Sequence, residues 1–151
     1  MILPSKVLET LNQELNNSLV NLGLKKSVVG SEDLVLQDLQ PPYSIVWANF
    51  DNESTILDMG IPENIPVSIG VTIASGEFKT EIESMEQALT IATKIIKLLV
   101  KDYIVTIDTQ DYYFRLECKP IPMAFGVVKA ALSSVICHFT YSIDFIYGNQ
   151  D

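Results

Sequence analysis

Two segments of the chain alternate between apolar and small or polar residues, and this pattern constrains the fold more than any other feature. In residues 65–74 every odd position is Ile or Val, and the even positions are Pro, Ser, Gly, Thr and Ala. In residues 133–147 Val135, Phe139 and Tyr141 alternate with polar residues such as His138. Because successive side chains of a strand point to opposite faces, each segment predicts a strand with one face in a core. The small second face of 65–74 would let another surface approach closely.

Two further segments have the spacing of amphipathic helices that could cover one face of a sheet. The first begins near Pro4 and Ser5 and is predicted to end at Gly23, a favoured C-terminal cap. Its apolar stripe consists of Leu8, Leu11, Leu15, Leu19 and Leu22. The second helix is predicted to start at Ser84 as N-cap, with Gln87 completing a capping box. It carries apolar residues well beyond one stripe, which predicts cover on most of its sides, by a neighbouring subunit or by the rest of the chain.

The other segments predict shorter strands. In residues 43–49 Tyr43, Ile45 and Trp47 share one face. Residues 103–107 and 112–119 flank a polar turn cluster, 108–111, and predict a hairpin. Residues 28–39 fit either an irregular stretch or a short edge strand.

The order of these elements predicts the fold class. Pro120 and Pro122 interrupt strand pairing and indicate an edge or a loop. Helix, strands, helix and strands follow one another, and this order is typical of α+β proteins. We expect a single domain over residues 1–151, with a mixed, mainly antiparallel sheet of about four to five strands and two helices packed on one face.

Charge narrows the classes of function. The chain has 10 Lys+Arg against 19 Asp+Glu, a net charge of -9, and Arg115 is its only arginine. This composition lacks the clustered cations of a nucleic-acid-binding surface, so we expect no specific nucleic-acid binding. Residues 32–86 are acidic, with Lys79 as their single cation. That segment forms either a solvated face, a surface for a basic partner or a wall that repels DNA.

No pattern in the chain predicts secretion, membrane insertion or a metal centre. The N-terminal residues lack the features of a signal peptide, and no run is long and apolar enough for a membrane span. Cys118 and Cys137 lie outside any metal-ligand cluster. We interpret them as two buried free thiols, with a disulfide left open, in a soluble protein made in a reducing cytoplasm.

We find no motif for catalysis. His138 is the only imidazole, and Ser134, Ser142 and Asp144 lie along the same predicted strand, where residues two apart do not converge as a triad requires. A general acid–base pair needs two carboxylates in different environments. No pattern around Glu81, Glu83 and Glu86 predicts the apolar pocket that would provide this difference. The Asp51–Asn52–Glu53 run begins like a calcium loop but lacks the remaining ligands. We therefore expect no enzyme activity, no cofactor and no metal.

Residues 51–64 form a long connection with apolar residues that are unusual for a loop. It either packs back on its own domain or contacts a neighbouring subunit. The residues that we expect at such an interface are Asp51, Glu53, Leu57, Met59 and Ile61.

The order of elements resembles the small tail-terminator or tail-completion proteins of tailed bacteriophages and prophages. The resemblance lies in the helix over 7–22, the strand over 65–74, the E-S-M-E-Q-A-L run at 83–89 and the strand over 139–145. It implies a structural protein that forms a ring, commonly a hexamer, which caps the tail tube and joins it to the head connector. It also implies no cofactor, and a place in the cytoplasm during assembly and then in the virion or a phage-tail-like particle. The alternatives are a small-molecule-binding or enzymatic α+β domain, or an acidic protein-interaction module.

Overall fold

Three helices and seven strands make up the part of the chain that the computed structural model describes, residues 3–30, 40–50, 64–75, 80–129 and 132–144. The helices are α1 (Pro4–Asn16), α2 (Leu19–Leu22) and α3 (Glu81–Leu99). The strands are β1 (Lys26–Val29), β2 (Tyr43–Phe50), β3 (Asn64–Ala74), β4 (Asp102–Ile107), β5 (Gln110–Arg115), β6 (Glu117–Lys129) and β7 (Leu132–Asp144).

The strands form two sheets. The main sheet has five strands in the order β1-β2-β3-β7-β6; β1 and β2 are parallel and every other pair is antiparallel. Strands β4 and β5 form a separate two-stranded sheet. The α+β prediction with a mixed, mainly antiparallel sheet is therefore confirmed, while the separation of the hairpin from the main sheet was not expected.

The core lies on one face of the main sheet, where all three helices pack. It contains the predicted odd residues of β3 from 67 to 73 and of β7 from 135 to 141, together with Leu11 of α1 and Ile95 of α3. The other predicted odd residues lie outside the described side chains: Ile65, Ile143, Phe145 and Tyr147. The apolar surplus of α3 packs against this core within the chain, with Ile96 and Leu98 half-buried beside it. The chain itself covers the described apolar residues of β7 and most of those of α3, while Ile82 and Met85 of α3 are 69% and 38% exposed.

The first predicted helix is divided in two. Helix α1 ends at Asn16, and α2 begins after a turn at Asn17 and Ser18. Gly23 ends α2 with φ +80°, a left-handed conformation that glycine adopts without strain, and this confirms its predicted role as C-terminal cap.

The prediction of Ser84 as the N-cap of the second helix is wrong. Helix α3 begins about one turn earlier, at Thr80, whose hydroxyl accepts a hydrogen bond from the Glu83 N–H at 3.3 Å. Ser84 is fully buried inside the helix, and its hydroxyl contacts that of Ser75. Glu81 and Glu83 lie in the first turn of α3, where the helix dipole favours acids.

The predicted strand over residues 112–119 is two strands. The hairpin turn is shorter than expected, with only Asp108 and Thr109 between β4 and β5, both at positive φ. Strand β5 ends at Arg115, and β6 begins at Glu117 in the main sheet. As predicted from its prolines, β6 is an edge strand, and its pairing with β7 is irregular between Cys118 and Met123.

Candidate functional site

A cleft opens where the chain passes from the hairpin into the main sheet. Glu117, the first residue of β6, pairs with Thr140 of β7. The residue before it, Leu116, is fully buried, and its backbone N–H donates to the Lys101 carbonyl at 3.4 Å on the β4 side. Before Glu117 the chain therefore pairs with β4, as strand β5. Strand β7 continues past Thr140 to Asp144, paired with β3. Strands β5 and β7 diverge from the Glu117–Thr140 pair and leave a cleft of about 310 Å³ between them.

Both diverging strands contribute to the walls of this cleft. Strand β5 and the start of β6 supply one wall, and the end of β7 supplies the other. The lining residues are Tyr113, Phe114, Arg115, Glu117, Thr140, Tyr141 and Ser142.

A hydrogen bond at the β1 edge shows which neighbouring strand the backbone groups of each residue face, and this can be followed from β2 to β7. The Gly30 N–H donates to the Val46 carbonyl at 3.0 Å, so Val46 of β2 faces β1. Backbone groups of a strand face its two neighbours alternately, so Trp47 faces β3, where its partner is Gly70.

The same alternation, followed through β3, reaches the cleft. Because Gly70 faces β2, its neighbour Ile69 faces β7, where its partner is Phe139. Phe139 therefore faces β3, and Thr140 and Ser142 face the opposite side of β7. Thr140 meets β6 there, whereas the backbone N–H and C=O of Ser142 point into the cleft, where none of the described strands pairs with them.

The opposite wall presents its backbone to the cleft in the same way. The bond from Leu116 to Lys101 shows that Leu116 faces β4. The alternate residues Arg115 and Tyr113 therefore face away from β4, toward β7. Continuing the Glu117–Thr140 register would place Arg115 opposite Ser142, but the strands have separated and a gap lies between them.

A buried tyrosine forms part of the cleft lining. Tyr141 is 3% exposed, and its hydroxyl has no hydrogen-bond partner among the described residues. Its ring lies 6.0 Å from that of Phe114, which stacks on Tyr103 at 4.7 Å between centroids. Burial raises the pKa of Tyr141 above its ordinary value, so the hydroxyl stays protonated and can both donate and accept.

The charges at the rim are exposed and partly paired. The Arg115 guanidinium lies 3.1 Å from the Asp102 carboxylate and 3.7 Å from that of Glu117. All three side chains are exposed, so these pairs contribute little to stability. Two acids against one cation give the rim a net negative charge.

The hairpin beside the cleft has one apolar face in the core and one in solvent. Tyr103, Val105 and Phe114 are buried. On the outer face Ile104 and Tyr113 are direct cross-strand partners, and they are 65% and 71% exposed. Cross-strand apolar pairs normally contribute to sheet stability when covered, and this pair lacks cover among the described residues.

The second face of the main sheet is organised around Trp47. Gly70 is the partner of both Trp47 and His138, so the three residues form one row across β2, β3 and β7. The indole lies over Gly70, where any Cβ would collide with it, and its N–H donates to the Thr72 hydroxyl at 2.9 Å. The close approach predicted at the small face of β3 is thus made by Trp47 of the same chain.

Among the described side chains, the structure does not gather the catalytic groups considered from the sequence; the side chain of Asp144 lies outside them. His138 is half-buried and meets the Trp47 ring edge-to-face, with 6.1 Å between centroids. Ser134 and Ser142 are at register positions far apart on β7, opposite Ala74 and Pro66 respectively. The predicted interface residues lie outside the described residues: Asp51, Glu53, Leu57, Met59 and Ile61.

The cysteines differ in burial. Neither cysteine forms a disulfide; Cys137 is buried, whereas Cys118 is exposed, so the prediction of two buried thiols is wrong for Cys118. Burial, with a smaller contribution from Cys118, raises the pKa of Cys137 to about 12. A thiol with so high a pKa is a poor nucleophile at neutral pH.

The acids of residues 32–86 within the described part are Glu81, Glu83 and Glu86, all exposed at the start of α3. Among the described residues no three His, Cys, Asp or Glu side chains are grouped so that they could hold a metal ion. Within that same part of the chain, no helix has the length and apolarity needed to cross a membrane.

Comparison with known proteins adds no assignment: no protein-family model matches the chain, and the search of curated proteins returns no match.

Proposed function

We propose that the protein is a structural, non-catalytic subunit of a bacteriophage or prophage tail, of the tail-terminator type. Copies of the chain assemble into a ring that caps the tail tube and joins it to the head connector. The observation that carries this proposal is the β4–β5 hairpin, a separate small sheet whose outer face exposes the Ile104–Tyr113 pair.

Two features of the fold support the proposal. The order of helix, strands, helix and strands agrees with the resemblance to tail-terminator proteins. A ring needs heterologous contacts, in which one surface of a subunit meets a different surface of the next. An exposed apolar pair on a hairpin outside the main sheet is suited to such a contact, because the hairpin's inner face is already fixed in the core.

The hairpin is a better basis for an assembly contact than the elements that the sequence suggested. Most apolar residues of α3 and the described ones of β7 are covered within the chain, whereas Ile82 and Met85 in the first turns of α3 are exposed but lack an aromatic partner beside them in the described part of the chain. Ile104 and Tyr113 have no such cover among the described residues, and aromatic residues are enriched at interfaces.

The oligomeric state of the full chain tests this proposal. We expect light scattering and native mass spectrometry to show a closed ring at high protein concentration, alone or with tube protein added. The double variant Ile104→Ser/Tyr113→Ser should lose the ring and remain folded. Val20→Ser is the matched control, because Val20 is 94% exposed but lies on α2, outside the hairpin.

A strict monomer at high concentration, both alone and with tube protein, would overturn the proposal. A ring that survives the hairpin double variant would keep the assembly and reject the hairpin as its contact. The proposed place of the protein is the cytoplasm during assembly and then the finished particle, so purified particles should contain it.

A further inference from the structure

We propose that the cleft between β5 and β7 is the acceptor site for an extended peptide segment of a different protein, which binds as an added strand. This inference does not depend on ring formation, since it concerns a partner of a single subunit. It rests on the two cleft walls, on the buried Tyr141 hydroxyl and on the rim charges.

The two walls present backbone groups in the arrangement that strand addition needs. Ser142 points its N–H and C=O into the cleft from β7, and Arg115 and Tyr113 point theirs from β5. An extended segment that enters the cleft would pair with β7 through the N–H and C=O of Ser142 and would lie beside the hairpin. In this mode of recognition, main-chain hydrogen bonds give affinity and alternate side chains give specificity.

The dimensions limit the segment to a few residues. Strand β7 runs past its last partner in β6, from Tyr141 to Asp144. At ~3.3 Å per residue this open edge is about 13 Å long. The cleft volume of about 310 Å³ is at the lower end of the ~300–1,000 Å³ range of ligand pockets. A short segment with small side chains fits these limits.

The cleft also selects the chemistry of the segment. The side chains of a guest strand alternate, so every second one points to the same side of the sheet as Tyr141. A buried hydroxyl without a partner is costly, so a guest Ser, Thr or Asn that bonds Tyr141 gains that free energy on binding. The net negative rim around Arg115 favours an uncharged or basic segment over an acidic one.

The rival arrangement is closure of the cleft by the chain itself. Because Arg115 would be opposite Ser142 in the continued register, β5 could instead pair directly with β7. Closure would leave no room for a guest strand, and the experiment below distinguishes the two.

The test uses the full chain and a display library of random nine-residue peptides as the probe. We expect enrichment of uncharged or basic peptides that contain Ser, Thr or Asn. Ser142→Pro removes the N–H that points into the cleft but leaves the pairing with β3, and it should lower peptide affinity at least tenfold. Ser142→Ala is the matched control; it keeps that N–H and should bind within about twofold of the native chain.

A second measurement covers the case in which Ser142→Pro fails to fold. Methyl groups can be placed on every second backbone nitrogen of the best peptide in two ways, on the odd or on the even residues, without changing its side chains. Only the pattern that removes the N–H groups facing β7 should abolish binding to the unaltered chain. The Tyr141→Phe variant should bind the same peptide several-fold more weakly.

Three results would overturn the proposal. The first is a library from which no peptide is enriched, including the case in which only small molecules fill the cleft. The second is a set of peptides that bind equally well to the Ser142→Pro variant and after backbone methylation. The third is rapid disulfide formation in the free Arg115→Cys/Ser142→Cys/Cys118→Ser variant, because that bond requires the closed arrangement.

Discussion

The main sheet exposes backbone groups at β1 and at the part of β7 past Thr140, and these two places differ in what satisfies those groups. At the β1 end, the Asn16 side chain donates to the Ser27 carbonyl at 2.9 Å and accepts from the Ser27 N–H at 3.3 Å. One amide side chain from α1 thus takes the place of a neighbouring strand. At the part of β7 past Thr140, Ser142 points its backbone groups into the cleft, as Arg115 does from β5. No described side chain bonds these groups in place of a neighbouring strand.

The difference shows which of these two places is available to another chain. An open edge is a template for added strands, and proteins usually block it when no partner is intended. The β1 end is blocked further by a chain of hydrogen bonds from Ser44 through Ser27 to Asn12. The β1 edge is therefore satisfied within the chain, whereas the part of β7 past Thr140 is open.

The largest expected effect comes from the residue at which the strands diverge. Leu116 is fully buried where β5 leaves β7, so Leu116→Ala should leave a cavity and lower the free energy of unfolding by about 2–5 kcal/mol. The control is Ile104→Ala, on the exposed face of the same hairpin, which should cost no more than about 0.5 kcal/mol. Urea unfolding of both variants measures this. Equal small costs would show that the divergence is not anchored in the core.

The next effect tests the β1 edge. Asn16→Ala leaves the N–H and C=O of Ser27 without their partners and should cost about 2–3 kcal/mol in urea unfolding. Asn16→Asp keeps the acceptor but sets a carboxylate oxygen against the Asn12 and Ser27 carbonyl oxygens, so it should also be destabilising. Asn17→Ala changes the neighbouring exposed asparagine and should be nearly neutral. If Asn16→Ala were as mild as Asn17→Ala, the β1 edge and the part of β7 past Thr140 would not differ as described.

The sequence predicted β2, β3, β4, β7 and the regions of the two long helices, because their periodic patterns follow from burial. The alternation in β3 and β7 identified the core residues of both strands, and Gly23 was recognised as a cap. The N-cap was misplaced because Ser84 and Thr80 both precede acidic or amide residues, and only tertiary packing, which buries Ser84 against Ser75, decides between them.

The cleft could not be predicted, because nothing in the local pattern marks the divergence. Tyr112, Phe114, Leu116 and Cys118 alternate with polar or exposed residues without a break, as in one continuous strand. The change of partner at Leu116 depends on tertiary packing. The chain pairs with β4 up to Leu116 and with β7 from Glu117 onward, while its apolar–polar alternation continues unchanged. Arg115, Tyr141 and Ser142 become neighbours only through that change.

The smallest expected effect compares two buried tyrosines that differ in one hydrogen bond. The Tyr103 hydroxyl donates to the Leu99 carbonyl at 2.8 Å, so Tyr103→Phe should lower the free energy of unfolding by about 0.5–1.5 kcal/mol. The Tyr141 hydroxyl has no partner among the described residues, so Tyr141→Phe removes an unsatisfied buried group and should raise that free energy by about 1 kcal/mol. The sign of the difference in urea unfolding is the measurement. A destabilising Tyr141→Phe would mean that the hydroxyl already has a hydrogen-bond partner in the free chain. The cleft beside β7 would then lack a buried unsatisfied group that a guest segment could bond.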